Sequence, residues 1–163
     1  MNHKDIFLLI GGNSGDRLRQ LKIASELITK EIGATVAKSK IYETAPWGKE
    51  DQPHFLNQAI KIEAPFSPSE LLIKVQGIEQ KLGRTRVEKW GERLIDIDII
   101  YFGNEIIDES DLVIPHPYLT ERKFVLIPLT EISPEFVHPV SQKSNAQLLK
   151  DCRDTLPVKE FIN

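Results

Sequence analysis

The chain has 163 residues, 40% hydrophobic and 28% charged. That is about one ordinary domain of roughly 100–200 residues, with enough apolar material for a core, so a disordered chain is excluded. Its apolar runs fall far short of the roughly 20 residues of a membrane-spanning helix, and the stretch before Gly11 is too short for a secretory signal. A net charge of −3 supplies no global positive field for nucleic acid. The single cysteine, Cys152, excludes an internal disulfide framework and a cysteine-based zinc site, so a reducing cytoplasm is the expected setting.

Residues 7–10 form an apolar run that reads as a buried strand entering a turn at Gly11-Gly12. Leu18, Leu21, Ala24, Ile28 and Ile32 then recur at spacings of three and four, which predicts a helix over 17–32. Ser14 or Asp16 is available to cap it, and Gly33 is expected to stop it in the left-handed conformation. Residues 36–42 are rich in β-branched side chains and predict a strand, whereas 43–54, with Pro46, Gly48 and Pro53, predict a long loop. Residues 55–64 alternate, with Leu56, Ile60 and Ile62 on one side and Phe55, Asn57 and Ala59 on the other.

Ser67-Pro68-Ser69-Glu70 carries a Ser cap, a first-turn proline and the Glu of a capping box. The helix it opens keeps Leu71, Val75, Ile78 and Leu82 on one face and ends at Gly83. Residues 94–102 are the strongest predicted strand, followed by a tight turn at Gly103-Asn104 into 105–107. A partly helical segment over 119–132 and a short helix over 145–150 complete the chain. There is no repeat and no linker, so residues 1–163 are expected to form one domain. The order β-α-β-loop-β-α-β predicts an α+β, ferredoxin-like fold: a mostly antiparallel sheet with helices on one face. A doubly wound parallel sheet fits less well, because no helix separates 36–42 from 55–64.

Asp96 and Asp98 stand two apart in an apolar strand, so both project from one face, roughly 7 Å apart at Cα. Like charges held so close repel unless a cation sits between them, and Mg²⁺ is commonly held by one or two carboxylates plus substrate phosphates. An exposed, solvated sheet face is the other reading. Between Arg84 and Arg93 lie Arg84, Arg86, Lys89 and Arg93 against Glu88 and Glu92. Arginine forks and the Trp90 N–H suit a polyphosphate, in a loop that either closes over a nucleotide or is ordinary surface. Phe55 and Asn57 share a strand face, as a stacking plate and a hydrogen-bonding amide for a flat heterocycle would, or as plain core and turn. His116, between two prolines, is a loop histidine able to donate to phosphate. Gly11–Asp16 lacks the Gly-Lys-Ser/Thr ending of a P-loop.

The stretch Lys89-Trp90-Gly91-Glu92-Arg93-Leu94-Ile95-Asp96-Ile97-Asp98-Ile99-Ile100 resembles the signature of the 6-hydroxymethyl-7,8-dihydropterin pyrophosphokinase family of folate biosynthesis. Further stretches agree in order and spacing. They are Gly11-Gly12-Asn13, Tyr42-Glu43-Thr44-Ala45-Pro46, Phe55-Leu56-Asn57, Gly83-Arg84-Thr85-Arg86, Val113-Ile114-Pro115-His116-Pro117 and Arg122-Lys123-Phe124. Gly12, Ala45, Trp47 and Pro117 depart from residues common in the family.

The resemblance implies transfer of pyrophosphate from ATP to the hydroxymethyl group of the reduced pterin, releasing AMP. It implies two Mg²⁺ on Asp96 and Asp98, and a pterin held between Phe55 and Phe124 with Asn57, Thr44, Pro46 and Trp47 at its edge. Gln76, Glu79, Arg86, Trp90, Arg93, Ile99, Leu112, His116 and Arg122 would surround the nucleotide. Arg84, Arg86 and Arg93 would serve the transfer itself, and Asp98 is a candidate acceptor for the hydroxyl proton. Partners would be these two small molecules, with no nucleic acid and no membrane, and a monomer is expected. Two other readings of the residues stand beside it. A metabolite-sensing ferredoxin-like module leaves the clustered carboxylates and arginines unexplained, and a two-metal nuclease predicts a more basic surface.

Overall fold

A computed structural model describes residues 4–46, 53–83 and 94–162. Strand β1 (Lys4–Gly12) lies inside a mainly antiparallel sheet, between β4 (Phe55–Ala64) and β5 (Asp96–Phe102). The far side of β4 carries β2 (Ala34–Lys38) and then β3 (Tyr42–Thr44), and β8 (Val158–Glu160) pairs with β3. The order β5-β1-β4-β3-β8, with β5 at one edge, is the ferredoxin-like arrangement expected. A small ribbon of β6 (Ile107–Asp108) and β7 (Val113–Ile114) stands apart.

The strand expected over 36–42 is two pieces. Ser39 interrupts it by donating its N–H to the Ala59 carbonyl at 2.9 Å and accepting the Ala59 N–H on its hydroxyl at 2.9 Å. The first strand, by contrast, is longer than its apolar run, because Gly11 and Gly12 stay in the ladder.

Helices α1 (Arg17–Glu31) and α2 (Pro68–Lys81) cover one face, burying Leu21, Ile28, Leu71 and Ile78 against Ile6, Leu8, Ile10 and Ile60. Asp16 caps α1, and the capping box of Ser67 and Glu70 opens α2. Gly33 is not a left-handed stop; it is needed because a Cβ there would lie 2.1 Å from the Glu63 carbonyl. Gly83, at φ +81°, is the left-handed terminator.

The expectation of helices on one face only is corrected: α3 (Lys123–Ile132) and α4 (Asn145–Asp151) cover the other. The cause is in β1. Residues 6–10 are buried without alternation, so both faces of that strand need cover, as in any sheet enclosed on both sides. Phe7, Leu9, Ala59, Ile100 and Tyr101 form the second core with Val125, Leu126 and Leu129. Tyr101 donates its hydroxyl to Asn145 Oδ1 at 2.8 Å, tying α4 to the sheet.

A bulge shapes the functional end. Leu8 pairs with Ile99 and Phe7 with Tyr101, leaving Ile100 as the extra residue. Ile100 and Tyr101 therefore both join the α3-side core, while Ile97 and Ile99 belong to the α2-side one. Among the described residues no helix is long and apolar enough to cross a membrane.

Candidate active site

Pairing register assembles the site. Gly11 of β1 stands opposite Asp96 of β5 on one side and Asn57 of β4 on the other, and Asn57 stands opposite Tyr42 of β3. One pair further along, Leu9 stands between Asp98 and Ala59. Paired residues share a face, so Asp96, Asp98, Asn57 and, by alternation, Phe55 all project toward the α3 side. Three segments far apart in the chain thus place Asp96 about 10 Å from Asn57, two strand spacings, and Asp98 about 12 Å from it.

Gly11 keeps that surface open. A Cβ at this position would lie 2.1 Å from Asn57 Oδ1 and 3.0 Å from the Leu56 carbonyl, so the Asn57 amide leans over a backbone with no side chain. Asn57 is 5% exposed and Thr44, paired with Phe55, is 3% exposed. Both are fixed in place, whereas Phe55, Asp96 and Asp98 are half-buried.

Helix α3 presents the facing groups. Its first turn carries Phe124, which packs on the edge of the second core. Arg122, at the helix start, lays its guanidinium over Phe124 at 5.7 Å and over Tyr118 at 4.9 Å. The other end of α3 is pinned to β3: Glu131 accepts the Tyr42 hydroxyl at 2.5 Å and the Lys40 N–H at 2.9 Å. Burial and that carboxylate push the Tyr42 phenol up to about 12.

His116 follows β7 and is held to β5 by its backbone N–H, which donates to the Ile100 carbonyl at 3.0 Å. Burial pulls its pKa down to about 4, the Arg122 cation adds to this and Asp96 opposes it. Its Nδ1 accepts the Tyr118 N–H at 3.2 Å, which leaves the proton of the neutral ring on Nε2 as a donor.

The remaining nucleotide-side candidates approach β5 from its outer edge and from the opposite layer. Gln76 is half-buried on α2. Glu79, 4% exposed, accepts the backbone N–H of Ile97 on Oε2 at 2.8 Å. Ile99 and Leu112 are 6% and 7% exposed, in the α2-side core. Pro46 is half-buried just after β3. Trp47, Arg84, Arg86, Trp90 and Arg93 lie outside the described residues.

Asp96 and Asp98 fit an Mg²⁺ ion. Both are carboxylates on one face of one strand, at its start, beside a position with no side chain. Among the described residues no cluster of three or more His, Cys, Asp or Glu could hold a metal. An all-protein cage is therefore not what these residues build; two carboxylates completed by substrate phosphates suit Mg²⁺.

Sequence reasoning missed the parts that frame the site. Gly11 reads as a turn, and its role appears only when its two neighbours across the sheet are known. Asn13 is fully buried and donates to the Pro53 carbonyl at 3.1 Å. Arg17 pairs with Glu43 at 2.6 Å and donates to the His54 carbonyl at 2.8 Å. These two side chains grip both flanks of residues 47–52. The cluster Gly11-Gly12-Asn13 was visible as a turn and as one of the stretches of resemblance, but neither gave the roles of Gly11 and Asn13 in framing the site.

Comparisons with known proteins give the family and the fold of this chain. The family 7,8-dihydro-6-hydroxymethylpterin-pyrophosphokinase matches residues 7–134. The chain is 47% identical over 159 residues to the 2-amino-4-hydroxy-6-hydroxymethyldihydropteridine pyrophosphokinase of Bacillus subtilis (strain 168), covering 96% of this chain and 95% of that protein. It is 39% identical over 156 residues to the enzyme of the same name from Aquifex aeolicus (strain VF5), covering 96% and 89%. The wild-type HPPK-DHPS of Plasmodium falciparum superposes with a TM-score of 0.75 at 18% identity, over 91% of this chain and 44% of that one, a likeness of fold. With most of its length matched and a relative nearly half identical across both chains, this protein belongs to the 7,8-dihydro-6-hydroxymethylpterin-pyrophosphokinase family.

Proposed function

We propose that the transfer of pyrophosphate from ATP to the hydroxymethyl group of 6-hydroxymethyl-7,8-dihydropterin, the activity of this family, is carried out at the row Asp96–Gly11–Asn57. The observation that carries this reading is the register itself, which sets Asp96 and the buried Asn57 amide on either side of a bare glycine, with Asp98 one pair along on the same face. Asp96 and Asp98 would hold Mg²⁺, two ions in our reading, which when bound supplies charge neutralisation across the triphosphate.

The chain's own residues do the rest. Phe55 and Phe124 hold the flat pterin between rings, and Asn57 with the backbone around Thr44 and Pro46 reads its edge. Trp47 belongs to that edge by its place in the sequence. This fixes the hydroxymethyl oxygen toward β5, in line with the bond between the β-phosphorus and the α-phosphate oxygen. The oxygen bonds to the β-phosphorus as its proton passes to Asp98 or to water, the bond to the α-phosphate oxygen breaks and AMP leaves; such a transfer depends on positioning and charge compensation more than on a strong base. The neutral His116 ring offers its Nε2–H to a phosphate oxygen, and Arg122 offers a fork beside it. Arg84, Arg86 and Arg93 are assigned to the triphosphate, and Trp90 to the nucleotide, on residue type and place in the sequence. Gln76, Ile99 and Leu112 would lie along the nucleoside at the edge of β5. Small soluble substrates and a single free cysteine, Cys152, suit a cytoplasmic setting.

Calorimetry with a non-hydrolysable ATP analogue tests the assignment. The parent is expected to bind it strongly only with Mg²⁺ present, and Asp96→Asn and Asp98→Asn to lose the Mg²⁺-dependent part while keeping the fold. Equal Mg²⁺ dependence in parent and variants would remove both carboxylates from the site.

A further inference from the structure

Strand β5 starts at Asp96 and is the edge of the sheet. Among the described residues, its Asp96 end has β1 as its only neighbouring strand. Two carboxylates of like charge protrude from one face of that end, and strand ends are where pairing opens most readily. Something must hold the backbone between them if both are to keep their aim.

Glu79 occupies that place. It projects from the last turns of α2, packed on the face opposite the two aspartates, and reaches around the edge to accept the Ile97 N–H at 2.8 Å. Ile97 is the residue between Asp96 and Asp98, so this bond fixes the peptide plane that joins Asp96 to the rest of the strand. The side chain is 4% exposed. Burying a carboxylate costs several kcal/mol even after relaxation, and an apolar residue would extend the helix's buried stripe of Leu71, Val75 and Ile78. A carboxylate here is instead suited to a short, charge-assisted bond to a backbone donor at a strand edge that would otherwise present it outward.

We propose that Glu79 is a positioning residue for the metal site, holding Asp96 and Asp98 in a ligating arrangement through the Ile97 N–H rather than by touching metal or nucleotide. The proposal rests on the reading of the two aspartates as metal ligands and deepens it.

The test uses Glu79→Gln, which keeps an acceptor oxygen, and Glu79→Leu, which keeps size and burial but not the acceptor. Amide hydrogen exchange at Ile97 in the metal-free protein is one readout, and the Mg²⁺ concentration giving half-maximal activity at saturating ATP and pterin is the other. Ile97 should be protected in the parent and in Glu79→Gln, and exposed to exchange in Glu79→Leu. Half-saturating Mg²⁺ should stay within about threefold for Gln and rise about 10–100-fold for Leu, the range typical of lost outer-shell support. At saturating Mg²⁺ the KM for ATP should be that of the parent.

An unchanged Mg²⁺ response in Glu79→Leu overturns the proposal, as does a Gln variant as impaired as the Leu one. A raised KM for ATP with a normal Mg²⁺ response would make Glu79 a direct nucleotide contact. Should Glu79→Leu fail to fold, an Ile97 amide in the parent that exchanges as fast as exposed amides is sufficient to reject the idea. Asp96→Asn in the same titration separates the two levels. If that variant keeps the parent's Mg²⁺ response, the metal assignment itself has failed and Glu79 has nothing to position.

Discussion

The His116 ring makes the ligand-free protein sensitive to acid in a way that one substitution should remove. Burial holds its folded pKa near about 4, against 6.5 for an ordinary histidine. Between those values the unfolded chain binds a proton that the folded chain refuses, so stability falls as pH falls. Above pH 6.5 the ring is neutral in both states and contributes no pH dependence. Below about 4 it is charged in both and the loss is complete. At about 1.4 kcal/mol per pH unit the full window is worth at most about 3.5 kcal/mol, of which roughly 2 kcal/mol falls between about pH 7 and pH 4.5. His116→Asn keeps a donor and removes the titration. Urea unfolding of both proteins at about pH 7, 5.5 and 4.5, without ligand, should give a difference that is constant at the upper end. Toward pH 4.5 the parent should lose about 2 kcal/mol more than the variant. His138, whose burial also lowers its pKa, and all the carboxylates are common to both proteins and cancel. Parallel pH profiles would mean that His116 is not shielded as described, and its assignment as a neutral Nε2–H donor would go with it.

Phe55→Ala and Phe124→Ala should weaken pterin binding by about 1–3 kcal/mol each, by analogy with base–aromatic stacking, and ATP-analogue binding by less. Calorimetry with each ligand separates the two, and equal losses would make the rings part of the core rather than of the site. Gly11→Ala puts a methyl 2.1 Å from Asn57 Oδ1 and 3.0 Å from the Leu56 carbonyl. The backbone carbonyl cannot rotate away, so we expect a loss of stability of about 1–3 kcal/mol, as for overpacking. Pterin affinity should fall more than nucleotide affinity, and a variant binding pterin as the parent does would show that Asn57 is free to reorient.

Much of this was legible because local rules and global fold agree. The capping box at Ser67, the three- and four-residue spacing of α1 and the alternation through 55–64 each specify an element without help from the rest of the chain. Asp96 and Asp98 were legible for the opposite reason: acids in an apolar strand violate the local rule, and such violations gather at functional sites. What stayed hidden depends on pairing. Ser39 reads as one more strand residue until its hydroxyl is seen to take the Ala59 N–H. The helices over 119–132 and 145–150 were legible, but not the face they cover, although the unbroken burial of residues 6–10 demanded cover on both faces. Gly11 carries no side chain from which to read anything, and its meaning lies wholly in Asp96 and Asn57 beside it.

The position of the site follows from a taper along β1. On the α3 face this strand shows Phe7, then Leu9, then Gly11, each two residues nearer the open end. Phe7 is packed among Tyr101 and Phe136, with ring centroids 5.7 Å and 4.8 Å away. Leu9, 3% exposed, still belongs to the core but already has Asp98 for a neighbour. Gly11 has Asp96 and Asn57. On β5 the same steps run from Tyr101 to Asp98 to Asp96, so both strands exchange bulk for polarity at the same rate. A sheet enclosed on both faces cannot bind a ligand over its middle without displacing core side chains. It can do so where the side chains shrink to nothing while the backbone ladder continues, because the hydrogen bonds of β1 to β4 and β5 keep the floor rigid after the packing has ended. The bulge at Ile100 completes the arrangement. By turning Ile100 and Tyr101 to the same face, it lets β5 supply two core side chains just behind Asp98, so that the carboxylates stand on a packed base.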